Sequence, residues 1–66
     1  MDDKKLLIGS KVKEIAKREG IPLYALEEKA HIARGSISKW DEINPSFDKV
    51  FRIAKELNVT ADELIS

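Results

Sequence analysis

The stretch from Ile21 to Asp41, IPLYALEEKAHIARGSISKWD, decides how the rest of the chain is read. Leu26 and Ala30, at i and i+4, share one face of a short helix. Ile32 follows as an anchor just past a turn, and Ile37 and Trp40, at i and i+3, share the inward face of a second helix. Apolar contacts at these positions fix the angle between two helices joined by a tight turn.

Two helices so joined make a helix-turn-helix, a device for placing the second helix in the major groove of DNA. Winding that helix, expected over 33–41, at about 100° per residue turns Gly35, Ser38 and Lys39 opposite the Ile37/Trp40 stripe, with Arg34 nearer the side in the first turn. The outward face is small, polar and basic. A surface without large apolar groups enters a groove about 12 Å wide, where serine donates or accepts and arginine or lysine donates to guanine O6 and N7. Gly35 lets backbone and DNA approach closely, Ser36 serves phosphate or base, and Lys29 and Asn44 are expected to clamp the DNA backbone at the margins. Trp40 shares a face with Ile37 and is expected in the core rather than stacked on a base.

Working outward, a first helix is expected over about 6–19, with Ile8, Val12, Ile15 and Ala16 as its inward stripe and Gly20 as its stop. Pro22 opens the next helix, expected over 23–30. Ile43, Asn44 and Pro45 separate the third helix from a fourth over 47–57, which Ser46 is placed to cap. Phe47, Val50, Phe51, Ala54 and Leu57 recur there at helical spacing, and Asn58 ends the helix. Thr60 with Glu63 matches a capping box that starts a last helix over 61–65, bearing Leu64 and Ile65. No strand-like alternation, repeat or low-complexity segment interrupts this pattern. The expectation is an all-α fold, a compact five-helix bundle forming one domain over residues 1–66.

Here the chain resembles the Cro and phage-repressor family, the XRE-type helix-turn-helix regulators, from about Ile8 to Ile65. The resemblance lies in KVKEIAKREGI, LEEKA, ISKWD and NPSFDKVFRIAKELNVTADELI, in that order with short spacings. It implies a lambda-repressor-like DNA-binding domain that reads bases from the start of its third helix and again one turn on, which falls on Arg34, Gly35, Ser38 and Lys39. The chain departs from the family at four places. The second helix of relatives commonly begins with a phosphate-binding glutamine after a serine cap, where this chain has Leu23 after Pro22. Glu27 stands where a small alanine is usual, His31 where glycine makes the turn, and Ala33 where serine often caps the recognition helix. Histidine is among the non-glycine residues found more often at positive φ, so His31 can make the turn at modest strain. Losing the cap at Ala33 costs on the order of 1 kcal/mol unless another group takes up the free N–H groups.

Length and composition bound these readings. The chain has 66 residues, near the small end of what folds without disulfides or metal, and no cysteine. Neither a disulfide framework nor a thiolate zinc site is available, which agrees with a reducing cytoplasm, and a lone histidine makes no credible metal site. No metal, cofactor or small-molecule substrate is expected. The Leu6 to Ile8 run is too short for a membrane span or a signal peptide, so a cytoplasmic location off the membrane is expected. Ser, His and Asp occur without a nucleophile motif or room for a pocket, so no catalytic residue and no enzyme activity are expected.

Charge is the point against DNA: 12 Lys plus Arg are balanced by 12 Asp plus Glu. Residues 1–21 sum to +2, and 22–44 and 45–66 to −1 each. Lys11, Lys13, Lys17 and Arg18 read first as a solvated face of the first helix. Asp41 and Glu42, at the end of the third, would repel a nearby phosphate or accept from cytosine N4. The reading that follows is a sequence-specific DNA-binding transcriptional regulator, most simply a repressor occupying an operator. It would bind double-stranded DNA weakly as a monomer and usefully as a homodimer, with Phe51, Val59, Leu64 or Ile65 as anchors. The alternative keeps the fold and discards the DNA: neutral charge, Leu23, and Glu27 beside Glu28 also describe a module that binds another protein, antirepressor or antitoxin-like.

Overall fold

The computed structural model describes residues 7–65. Four α-helices are present, α1 Ile8–Glu19, α2 Leu23–Lys29, α3 Phe47–Leu57 and α4 Ala61–Ile65, with one turn of 3-10 helix at Ile37–Lys39 between α2 and α3. No described residue lies in a strand. Leu6, the expected start of the first helix, lies outside the described residues, and Leu7 precedes α1 with non-helical φ −98° and ψ 65°.

Three helices end in the same way because three residues accept the left-handed conformation. Gly20, His31 and Asn58 have φ of 71°, 59° and 61°. In each case the next residue closes back onto the helix: Ile21 N–H donates to the Ala16 carbonyl at 2.9 Å, Ile32 to Glu27 at 2.8 Å, and Val59 to Ala54 at 3.0 Å. This is the Schellman termination, and its apolar residue after the left-handed position packs inward. Ile32 is buried, and Ile21 and Val59 pack partly buried against the core. The sequence expectation for Gly20, His31 and Asn58 is therefore met, and His31 does make the turn without glycine.

Helix starts follow the sequence as well. Pro22 stands before α2 with φ −66° and ψ 145°, and its carbonyl accepts from Ala25 and Leu26. Ser46 Oγ accepts from Lys49 N–H at 3.4 Å. Thr60 and Glu63 form the reciprocal box, Glu63 N–H to Thr60 Oγ1 at 3.3 Å and Thr60 N–H to Glu63 Oε1 at 3.4 Å.

The expected five-helix count is not met. The helix placed over 33–41 is reduced to the single 3-10 turn, because Gly35 sits at φ 89° and a right-handed helix cannot run through a left-handed residue. Beyond it most bonds span three residues, Lys39 N–H to Ser36, Trp40 to Ile37 and Glu42 to Lys39, the tighter 3-10 pattern, and only Ile43 N–H to Lys39 spans four.

The core joins every element. Ile8, Val12, Ile15 and Ala16 of α1 meet Leu26 and Ala30, then Ile32, Ile37 and Trp40, then Val50, Ile53, Ala54 and Leu57 of α3, and Leu64 of α4. Each large aliphatic side chain so buried contributes roughly 1.5–3 kcal/mol. Trp40 is 4 % exposed and belongs to this core, as expected. Leu64, expected as a dimer anchor, is 1 % exposed and is spent within the monomer. Phe47 and Phe51 stand outside at 65 % and 57 % exposed and stack on each other with ring centroids 6.1 Å apart.

Candidate nucleic-acid interface

The segment expected to face DNA is held from beneath by a carboxylate. Leu23, Leu26, Glu27 and Ala30 fall at i, i+3, i+4 and i+7, which places Glu27 on the inward stripe of α2. Its side chain is buried, at 4 % exposure, and both oxygens are used: Oε1 accepts from Gly35 N–H at 3.0 Å and Oε2 from Ile37 N–H at 3.1 Å. Of these, the Gly35 N–H is one that a side-chain cap at position 33 would otherwise take. Charge-assisted bonds of this kind are about twice as strong as neutral ones, and they lock α2 to the following segment.

Above this clamp Arg34, Gly35, Ser38 and Lys39 are all exposed and Ser36 is half-buried. A Cβ added at Gly35 would meet nothing within 4 Å, so its glycine is required by the positive φ. The Ser38 hydroxyl donates to the Gly35 carbonyl at 2.9 Å, which leaves its oxygen free only as an acceptor. The two ion pairs among the described residues are Arg18 with Glu19 and Arg52 with Asp48, so neither Arg34 nor Lys39 is neutralised by a described carboxylate.

The expected contact residues fall into separate places. Ser36, Lys39 and Asn44 line one shallow cleft of about 210 Å³, together with Ser46 and Lys49 at the start of α3. Arg34 lines another of about 300 Å³ with Tyr24, Glu27, Glu28 and Ile32. Lys29 is exposed at the end of α2 and lines neither.

Two further charged groups position this surface. Asp41 accepts from Ser10 N–H at 2.9 Å and from Ser10 Oγ at 2.5 Å, so it caps the first turn of α1. The Ser10 hydroxyl, then its N–H, hold the Asp41 carboxyl below its ordinary value, with Lys13 adding to the effect. Asp41 is thus engaged inside the molecule, not offered to a base as the sequence suggested. Arg52 of α3 reaches the end of α2, donating from Nη1 to the carbonyls of Ala30 at 3.0 Å and His31 at 3.3 Å, and from Nη2 to Asp48 at 2.7 Å. A cation there complements the helix dipole and ties α3 to the turn.

Sequence reasoning missed the roles of Glu27, Asp41 and Arg52. Glu27 could have been found, since a carboxylate on an inward stripe needs donors and an uncapped helix start has them to give. The other two act across 31 and 21 residues, where the sequence offers no local signal.

Comparison with known families agrees with this geometry: the model of a helix-turn-helix family matches residues 12–64, most of the chain. The chain belongs to the Cro and phage-repressor (XRE-type) helix-turn-helix family. Neither the curated proteins nor the solved structures compared with it gave a match. As an XRE-type domain it is a DNA-binding helix-turn-helix of the regulatory kind, a class not typically enzymatic. No helix among the described residues is long and apolar enough to cross a membrane.

Proposed function

We propose that the chain is a sequence-specific transcriptional repressor that occupies an operator through the exposed face of residues 33–41. The observation behind this reading is that Arg34 and Lys39 stand exposed and without a described carboxylate partner, on a segment clamped to α2 by Glu27. In it Arg34 and Lys39 donate to bases or neighbouring phosphates, and Ser36 and Ser38 supply shorter contacts. Gly35 is the point of closest approach, and Lys29 and Asn44 hold the backbone. Burial of Glu27 supports the reading too, since that charge, which on the surface would repel phosphate, is withdrawn from it.

One module makes few contacts, so the repressor is proposed to act as a homodimer on half-sites about one helical turn apart. With Leu64 in the core, Phe51 remains as the exposed anchor and shares a cleft with Val59, which like Ile65 is half-buried. Selection from a random DNA pool tests the proposal: a palindromic winner whose retention falls steeply with salt is expected, and a pool that enriches nothing overturns it.

The second reading, a protein-interaction module of antirepressor or antitoxin-like kind, is favoured by the exposed Phe47–Phe51 stack and the neutral charge. It predicts no salt-dependent retention of DNA.

A further inference from the structure

The Arg34 guanidinium lies over the ring of Tyr24, its Cζ 5.7 Å from the ring centroid. This is within cation–π range, and Tyr24 is 58 % exposed, so the pair stands on the surface. We infer that Tyr24 is a positioning residue that sets base selectivity by holding Arg34 extended for donation to a guanine. The inference rests on the operator-binding reading above and adds to it a residue that reading does not use.

Three observations lead here. The backbones of the two residues are fixed relative to each other, because the Glu27 carboxylate of α2 binds the N–H groups of Gly35 and Ile37, just after Arg34, and the Glu27 carbonyl accepts from Ile32 N–H, just before it. A cation–π contact takes up none of the guanidinium N–H donors as hydrogen bonds to a carboxylate would, so they remain available to a base. No described carboxylate is within ion-pair distance of Arg34, although Glu27 and Glu28 line the same cleft. Glu27 is occupied by backbone donors. A free arginine loses much rotamer freedom on binding; one already laid on a ring loses less, and the saving appears only where the arginine meets its base.

The test uses the duplex that the parent chain selects from a random pool, and the same duplex with 7-deazaguanine replacing each guanine in turn, which removes the N7 acceptor. The readout is the ratio of the two affinities at fixed salt, with Trp40 fluorescence on denaturation as the folding control. At the guanine whose ratio Arg34→Ala abolishes, Tyr24→Leu is expected to lower the ratio two- to five-fold, the range of an exposed cation–π pair. Tyr24→Phe keeps the ratio, and Tyr24→Leu adds nothing in an Arg34→Ala background. An unchanged ratio in Tyr24→Leu overturns the inference alone, as does an equal loss in Tyr24→Phe, which would assign the effect to the hydroxyl. Arg34→Ala without effect at any guanine overturns this inference while leaving the operator reading standing, and a parent that selects no DNA overturns the operator reading and this inference with it.

Discussion

Asp41 and Ser10 are 31 residues apart in sequence and share two hydrogen bonds, through the Ser10 N–H at 2.9 Å and its hydroxyl at 2.5 Å. A residue just past the 3-10 turn thereby caps the start of α1, whose N-cap residue Leu7 makes no side-chain cap bond. The carboxylate form makes these bonds, so the folded pKa lies below the ordinary 3.8. The sign follows from linkage: the stabilisation is fully present above the unfolded pKa and is lost as pH falls through the lower folded value. Thermal melts of the parent and Asp41→Asn should differ near neutral pH, the parent being the more stable, and converge as the pH drops below 3.8 towards the folded pKa. A gap between them that stays constant down through that window would show that Asp41 does not act through its charge.

Glu27→Ala removes the acceptor for two N–H groups at once and leaves a hole beneath the segment. Leaving such donors unpaired costs roughly 1–3 kcal/mol each when buried, and the partial exposure of Gly35 reduces its share, so a loss of about 2–4 kcal/mol is expected in denaturant unfolding. Trp40, the single tryptophan, sits in the adjacent core and reports it. A loss under about 0.5 kcal/mol, the size of an ordinary surface change, would show that the clamp contributes little.

Two glycines should respond to alanine for different reasons. At Gly9 the new Cβ would meet the Ile37 carbonyl oxygen at 2.8 Å and Asp41 N at 3.2 Å, both backbone atoms that cannot swing away. Overpacking of this kind costs typically about 1–3 kcal/mol, offset by up to about 1 kcal/mol of helix propensity. At Gly35 nothing obstructs the Cβ, and the cost is the left-handed strain alone, about 1–2 kcal/mol. Gly35→Asn, which tolerates that conformation, should recover part of the stability, while Gly9→Asn should not; equal behaviour of the two sites would contradict this account.

For DNA, Arg34→Ala should weaken the selected duplex by roughly 1–3 kcal/mol and relax preference at one base pair. If Lys39 contacts phosphate, Lys39→Ala should instead weaken all duplexes nearly alike and lower the slope of log affinity against log salt by about 1. Filter binding across a salt series separates the two, and the reverse pattern would exchange their assignments.

Chain breaks and stripes were legible from residues alone: Gly20, His31 and Asn58 as stops, Ser46 and the Thr60/Glu63 box as starts, and the inward faces of α1 and α2, whereas on α3 the helical spacing takes in Phe47 and Phe51, which stand exposed, and leaves out Ile53, which is buried. Each depends on neighbours within about one turn of helix, and such local chemistry is written in local sequence. The length of the third helix was misjudged because Gly35 was read for its small size at a DNA surface and not for its φ.

Tertiary structure decided which partners the charged residues take. Glu27, read as a surface charge, became the internal clamp of the 33–41 segment; Asp41 went to α1; Arg52 went to the end of α2; and Arg34 settled on Tyr24. Sequence determined where the backbone turns and which side chains avoid water, since those preferences are set residue by residue. Which carboxylate meets which N–H depends on distances between segments up to 31 residues apart, and these exist only once the shared core has closed.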